Sequence, residues 1–181
     1  MHKHANDECF QCKHGGREDA LQMTRLEVAK FQTVNIGVSD NPKDESPFIY
    51  SIGLLQNFNH PEIIITGLPL RVAHVFLNEF REVIKTGLRI EPEKIYTEFS
   101  QGNLPLVFKT VAKNFQPAFL GYGLDYYRTF EPDLFRRFSA FQMVWSDTKG
   151  RFPWEPGFEF IRKIQPLLFE QTKKLTNSQQ N

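Results

Sequence analysis

Three short stretches of this 181-residue chain carry side chains whose types and spacing suit chemistry. The first is Tyr50-Ser51-Ile52-Gly53-Leu54, followed by His60-Pro61-Glu62. A glycine inside a strand lets another backbone or a ligand come close. His60, in the loop that follows, titrates near neutral pH and suits proton transfer. Glu62 is placed to orient it or to act as a second carboxylate. The structural alternative is that His60-Pro61 stiffens a loop whose backbone donors Glu62 satisfies. Ser51 has little support as a nucleophile, because no Gly-x-Ser-x-Gly elbow surrounds it.

The second stretch is Trp145-Ser146-Asp147-Thr148-Lys149-Gly150-Arg151-Phe152-Pro153-Trp154. It holds both tryptophans of the chain. Arg151 stacked on indole, or paired with Asp147, would make a wall for an anionic or planar ligand. The structural alternative is a tight turn from Asp147 to Gly150, with tryptophans plugging the end of a sheet. The third stretch is Cys9-Phe10-Gln11-Cys12 with His14. Two thiolates and an imidazole suit tetrahedral zinc, but zinc wants four ligands and no second cysteine pair exists. No metal site is expected, and Cys9, Cys12 and His14 remain the weaker zinc candidates. The candidates are therefore His60, Glu62 and Asp147 for catalysis and Tyr50, Trp145, Arg151 and Trp154 for ligand binding. There is no Gly-x-Gly-x-x-Gly, P-loop or His-Glu-x-x-His pattern, so the cofactor is left open.

The elements that must position these residues follow from periodicity. A helix is expected from Arg17 to about Lys30, and strands over 31–38, 47–55 and 62–68. The third strand is apolar enough to be covered on both faces. Pro69 opens a helix whose Val72, Ala73, Phe76, Leu77, Phe80, Val83 and Ile84 keep helical spacing until Gly87. Residues 93–100 and 104–111 read as a hairpin around Gln101-Gly102-Asn103. A helix follows Asn114, weakened by Gly121 and Gly123. A strand covers 138–145, and a docking helix runs over 158–168, broken near Pro166. Hairpins mixed with helices predict an α+β fold. The expectation is one compact domain over 17–170, with a mixed or mostly antiparallel sheet packed by helices. Residues 1–16 read as a polar arm and 171–181 as a polar tail.

Composition narrows the function classes. Lys plus Arg number 22 and Asp plus Glu 21, so no single-sign field exists to draw a nucleic acid or an acidic membrane. No stretch reaches the ~18–20 apolar residues of a membrane span, and the start lacks the apolar region of a secretory signal. A cytoplasmic location is the default. The 18 phenylalanines predict a Phe-rich core.

Beyond these readings, the chain resembles a largely bacterial family, the domain-of-unknown-function family 4262. The resemblance rests on Tyr50-Ser51-Ile52-Gly53-Leu54, His60-Pro61-Glu62, Gly67-Leu68, Gln142-Met143-Val144-Trp145-Ser146-Asp147, Gly150 and Pro153-Trp154-Glu155-Pro156-Gly157. Ser51 stands where the family has Thr, and Ser146 where it has Pro. The resemblance implies a single α+β domain and no particular activity, and it marks the two segments as signatures that lie close together. Two functions compete. One is a small-molecule pocket, anionic ligands included, shared by the His-Pro-Glu loop and the tryptophan hairpin. The other is a non-catalytic protein-interaction domain, such as an immunity-type or adaptor protein. The partner is accordingly an unknown small molecule or protein, and whether a reaction is catalysed stays open.

Overall fold

Ile63-Ile64-Ile65 offers no polar side, so as a strand it must be covered twice. In the computed structural model, which describes residues 16–38, 46–100, 102–160 and 164–170, it is the middle of β3 (Glu62–Thr66), buried along its whole length. The other strands are β1 (Val34–Val38), β2 (Phe48–Ile52), β4 (Ile95–Tyr96), β5 (Leu106–Thr110) and β6 (Ala140–Trp145). They form one six-stranded sheet in the order β1-β2-β3-β6-β5-β4. All neighbours run antiparallel except the central pair β3 and β6, in which Glu62 lies beside Ala140 and Ile65 beside Met143.

The five helices of the described residues are α1 (Arg17–Phe31), α2 (Leu54–Phe58), α3 (Leu70–Lys85), α4 (Gln116–Phe130) and α5 (Pro132–Phe135). On one face of the sheet, Ile63, Ile65, Phe108 and Met143 pack under α3. The buried stripe of α3 is Ala73, Leu77, Phe80 and Ile84, at the spacing of one helix face. Burying each of its larger side chains stabilises the fold by about 1.5–3 kcal/mol. On the other face, Tyr50, Ile52 and Ile64 pack against Leu21 and Val28 of α1 and Leu120, Tyr126 and Tyr127 of α4. The chain is thus a single α+β domain with a mixed sheet covered on both sides.

The structure departs from the expected elements in four places. The second strand ends at Ile52, and Leu54–Phe58 forms α2 instead of continuing it. The break is at Gly53, whose φ of 114° only glycine adopts freely, and a Cβ there would sit 2.3 Å from the Gln32 carbonyl oxygen. β4 is two residues long rather than eight, so the hairpin forms with a short outer strand. Val72 and Phe76, expected in the core stripe of α3, lie beside it: Val72 is 44% exposed. Finally, 158–160 and 164–170 contain no α-helix. Polar contacts hold the last segment against the sheet instead: Gln142 Nε2 donates to the Pro166 carbonyl (2.6 Å) and Leu168 N–H donates to Gln142 Oε1 (2.8 Å). Gly67, at φ 79°, lets this segment approach; a Cβ there would lie 2.0 Å from the Ile164 carbonyl oxygen. Cys9, Cys12 and His14, with the arm over 1–15 and the tail over 171–181, lie outside the described residues.

Candidate functional site

Glu62 is the first residue of β3, so its side chain stands at the end of the sheet where α2 begins. The chain reverses at Gly53 and returns at Glu62, which brings the carboxylate under the free N–H groups of the first turn of α2. Oε1 accepts from Gly53 N–H (3.0 Å) and Leu55 N–H (3.0 Å). Tyr127 O–H also donates to Oε1, and Ser51 O–H donates to Oε2 at 2.5 Å. Ser51 Oγ in turn accepts from Ile63 N–H at 2.9 Å. Burial pushes the carboxyl above its usual range, and the donors pull it back without cancelling the shift. Burial beside Glu62 likewise pushes the Tyr127 phenol up. With 1% of its surface exposed, Glu62 joins β2, α2, β3 and α4 and faces no solvent.

His60 does not pair with Glu62. Its ring turns to the opposite face, edge-on to Phe141 with centroids 5.8 Å apart. Nδ1 lies 2.7 Å from the Pro61 carbonyl oxygen, which makes Nδ1 the protonated nitrogen. Nε2 is buried and, among the described residues, has no partner. Burial therefore lowers the pKa of His60, with the charge of Arg89 adding to the effect. Tyr50, expected as a ligand contact, is a core residue 3% exposed whose hydroxyl accepts from Gly123 N–H at 3.2 Å.

The tryptophan segment lies at the other end of the central pair. Trp145 is five residues past the partner of Glu62, about 16 Å along the strand at ~3.3 Å per residue. The two signature segments therefore do not share a pocket. Asp147 is fully buried and organises its own turn. Oδ1 accepts from Lys149 and Arg151 N–H, each 2.9 Å, and Oδ2 from Arg151 Nε (2.9 Å) and Glu159 N–H (3.1 Å). Burial raises this carboxyl, but these bonds overcome it and hold it below the usual range. Arg151 is consumed by the same turn: Nη2 lies 2.9 Å from Asp147 Oδ2 and 3.6 Å from Glu159 Oε1, paired by charge though not aligned as a hydrogen bond. Trp154 sits away from Trp145. It stacks on Phe152 at 4.9 Å, meets Phe169, and carries Lys109 Nζ 5.1 Å from its ring centroid.

Among the sequence candidates, Trp145 lines a cavity. Its indole N–H donates to the Thr66 carbonyl at 2.9 Å, which fixes the ring at the C-terminal ends of β3 and β6. Gln165 clamps its backbone from both sides, accepting from Trp145 N–H (3.0 Å) and donating to its carbonyl (3.1 Å). Against the ring lies a cavity of about 260 Å³ walled by Leu68, Phe76, Leu106, Met143 and Phe160. Val72 and Phe76 of α3 belong to this wall, which is why the apolar stripe of α3 is wider than its core contact. Ser146 also lines it. Its Oγ is buried and, among the described residues, unpartnered, an arrangement that costs about 1–3 kcal/mol. A larger depression, about 600 Å³, lies between α3 and the loop at Phe99. It is shallow, and its Glu79, Glu82 and Glu98 form a solvated acidic rim in which Glu82 pairs with Arg81.

Sequence reasoning missed Tyr127, Thr66, Gln142, Gln165 and Ser146. One signal was available: Gln142 and Glu62 are polar residues inside strands otherwise apolar enough to be buried, which forces them to have internal partners.

Residues 27–159 match the model of the family described as "Domain of unknown function (DUF4262)". The chain belongs to the DUF4262 family. No curated protein and no solved structure matches it. The DUF4262 match takes in both ends of the central strand pair, and it leaves Cys9, Cys12 and His14 outside.

Proposed function

We propose that the chain binds a small molecule in the cavity beside Trp145. One observation carries this reading: an apolar, ring-walled cavity of about 260 Å³, with Ser100, Ser146 and Thr148 among its lining residues, lies against the Trp145 ring that the Thr66 carbonyl holds in place. Ligand sites combine these features, a mostly apolar concave wall and a few polar groups that fix orientation. The roles first considered for Glu62 and Asp147 gain no support from this geometry, since each carboxylate is engaged within the fold, and His60 turns its ring away from Glu62 onto Phe141. Arg151 is likewise engaged with Asp147 and Glu159, so it is not a free cation for an anionic ligand.

A panel of small aromatic fragments, followed by the Trp145 indole N–H resonance, tests the reading. Fragments are expected to shift that signal and to leave Trp154 in place. Val72→Trp, at the exposed edge of the wall, is expected to abolish the shift. A panel that leaves Trp145 unmoved overturns the proposal.

A further inference from the structure

Resting on that reading, we infer that the ligand is an amphipathic cation, whose apolar group fills the cavity beside Trp145 and whose ammonium group lies against Glu79 in the adjoining depression. Both spaces run along one side of α3. Val72 and Phe76 line the cavity, and Glu79 and Val83 line the depression. These four residues follow one another in steps of four, three and four, the spacing of one helix face. Ser100, on the loop before β5, lines both spaces. Phe76 and Glu79 stand about 4.5 Å apart along the helix axis, so a chain of a few atoms reaches from one to the other.

The cavity supplies the affinity. Val72 and Phe160 on its wall are exposed, and an apolar guest takes them out of water together with the Trp145 ring. The depression supplies the selection. Among the described residues it carries Glu79, Glu82 and Glu98, and no lysine or arginine lines either space. Ile161, Arg162 and Lys163 lie outside the described residues.

The three carboxylates are not equivalent. Glu82 pairs with Arg81 at 2.8 Å, and Glu98 accepts from Thr97 N–H at 2.9 Å. Glu79 has neither an ion pair nor a hydrogen bond among the described residues, so it can exchange its water for an ammonium group without breaking a contact of the fold. Phe99 lines the same depression, and an aromatic face attracts a cation as well. An anionic guest of the same length would bring like charge beside Glu79. Because Glu79 is exposed, water and salt screen it, and its effect is a preference of a few-fold rather than a requirement.

Phenylbutylamine, phenylbutanol and phenylbutyrate share one skeleton and carry a cation, no charge and an anion at neutral pH. Each can be titrated against the full chain at low salt while the Trp145 indole N–H is observed. The amine is expected to bind about three- to fivefold tighter than the alcohol, and the acid weaker than both. Glu79→Gln should bring the amine down to the alcohol and leave the alcohol unchanged. Glu18→Gln, the same change of charge on α1 across the sheet, should alter neither. If the three probes bind alike, if the acid binds tightest, or if Glu79→Gln leaves the amine's advantage intact, the inference is overturned while the cavity reading stands. Equal weakening of amine and alcohol by Glu79→Gln would make Glu79 part of the wall's shape, and an equal effect of Glu18→Gln would make the preference one of net charge; either overturns the inference. If none of the probes moves Trp145, the cavity reading itself is wrong.

Discussion

At the start of β3, Glu62 meets two backbone N–H groups and two hydroxyls; just past the far end of β6, Ser146 Oγ meets no partner among the described residues. Both ends hold buried polar atoms and aromatic rings, and both carry signature residues. They differ in what is left over. At the Glu62 end the carboxylate is matched by four donors, and one buried ring nitrogen, His60 Nε2, has no partner among the described residues. At the Trp145 end Gln142 and Gln165 satisfy backbone groups of the last segment and of Trp145, the indole donates to the Thr66 carbonyl, and an apolar space remains against the ring. Residue type alone does not separate a site from a structural corner. What separates these two ends is the cavity that lies against the Trp145 ring.

Removing Glu62 should produce the largest effect and would break the comparison most directly. Glu62→Ala removes the acceptor of four donors, of which Gly53 N–H keeps the Tyr127 hydroxyl at 3.1 Å; with three donors left unpaired at about 1–3 kcal/mol each, a loss of about 3 kcal/mol or more is expected in urea unfolding. Glu62→Gln keeps one acceptor oxygen and should lose roughly half of that. A loss under ~1 kcal/mol for the alanine variant would mean that the hub does not hold this end.

Gly67→Ala probes the other end. The strain of a positive φ and the clash with Ile164 predict about 2–3 kcal/mol of destabilisation, felt first in the segment 164–170. Faster amide exchange at Leu168 with unchanged exchange at Gly53 and Leu55 is the expected pattern. Equal loss of protection at both ends would show that they are one cooperative unit.

The smallest effect is a pH slope, which for one proton is at most about 1.4 kcal/mol per pH unit. Burial lowers His60 below its ordinary 6.5, so the unfolded chain binds the proton more readily. The stability it contributes is full above 6.5 and is lost as pH falls through the window beneath it. Glu62, raised above its ordinary 4.5, has the opposite sign: its contribution is full below 4.5 and is lost as pH rises through its folded value. Unfolding measured from pH 4.5 to 7.5 should therefore lose its acid-side slope in His60→Phe and retain it in Glu62→Gln. The reverse assignment would place the acid sensitivity at the Glu62 end.

Much of the fold was legible in the residues. The all-apolar run of β3, the helical spacing of 73–84 and the strand at 140–145 follow from local pattern, because burial on one or two faces imposes a period of its own. The two signature segments were legible as segments too. Their separation was not. Glu62 and Trp145 belong to strands that are neighbours and parallel, and which strand lies beside which is set by the crossover through α3, β4, β5 and α4, with no mark in either segment. Nor does the sequence say that the chain turns into α2 at Gly53, or that Tyr127, 65 residues downstream, completes the shell of Glu62.

The sequence by itself determined an α+β domain, its most buried strand and the polar residues that would need partners inside it. Local periodicity and the cost of an unpaired buried group act within a few residues of chain, so they can be read there. Only the tertiary structure decided which of those residues found partners. Hydrogen-bond satisfaction is a property of what three-dimensional packing brings within ~3 Å, and that packing spent Glu62, Asp147 and Arg151 on the fold and left His60 Nε2 and Ser146 Oγ without partners among the described residues.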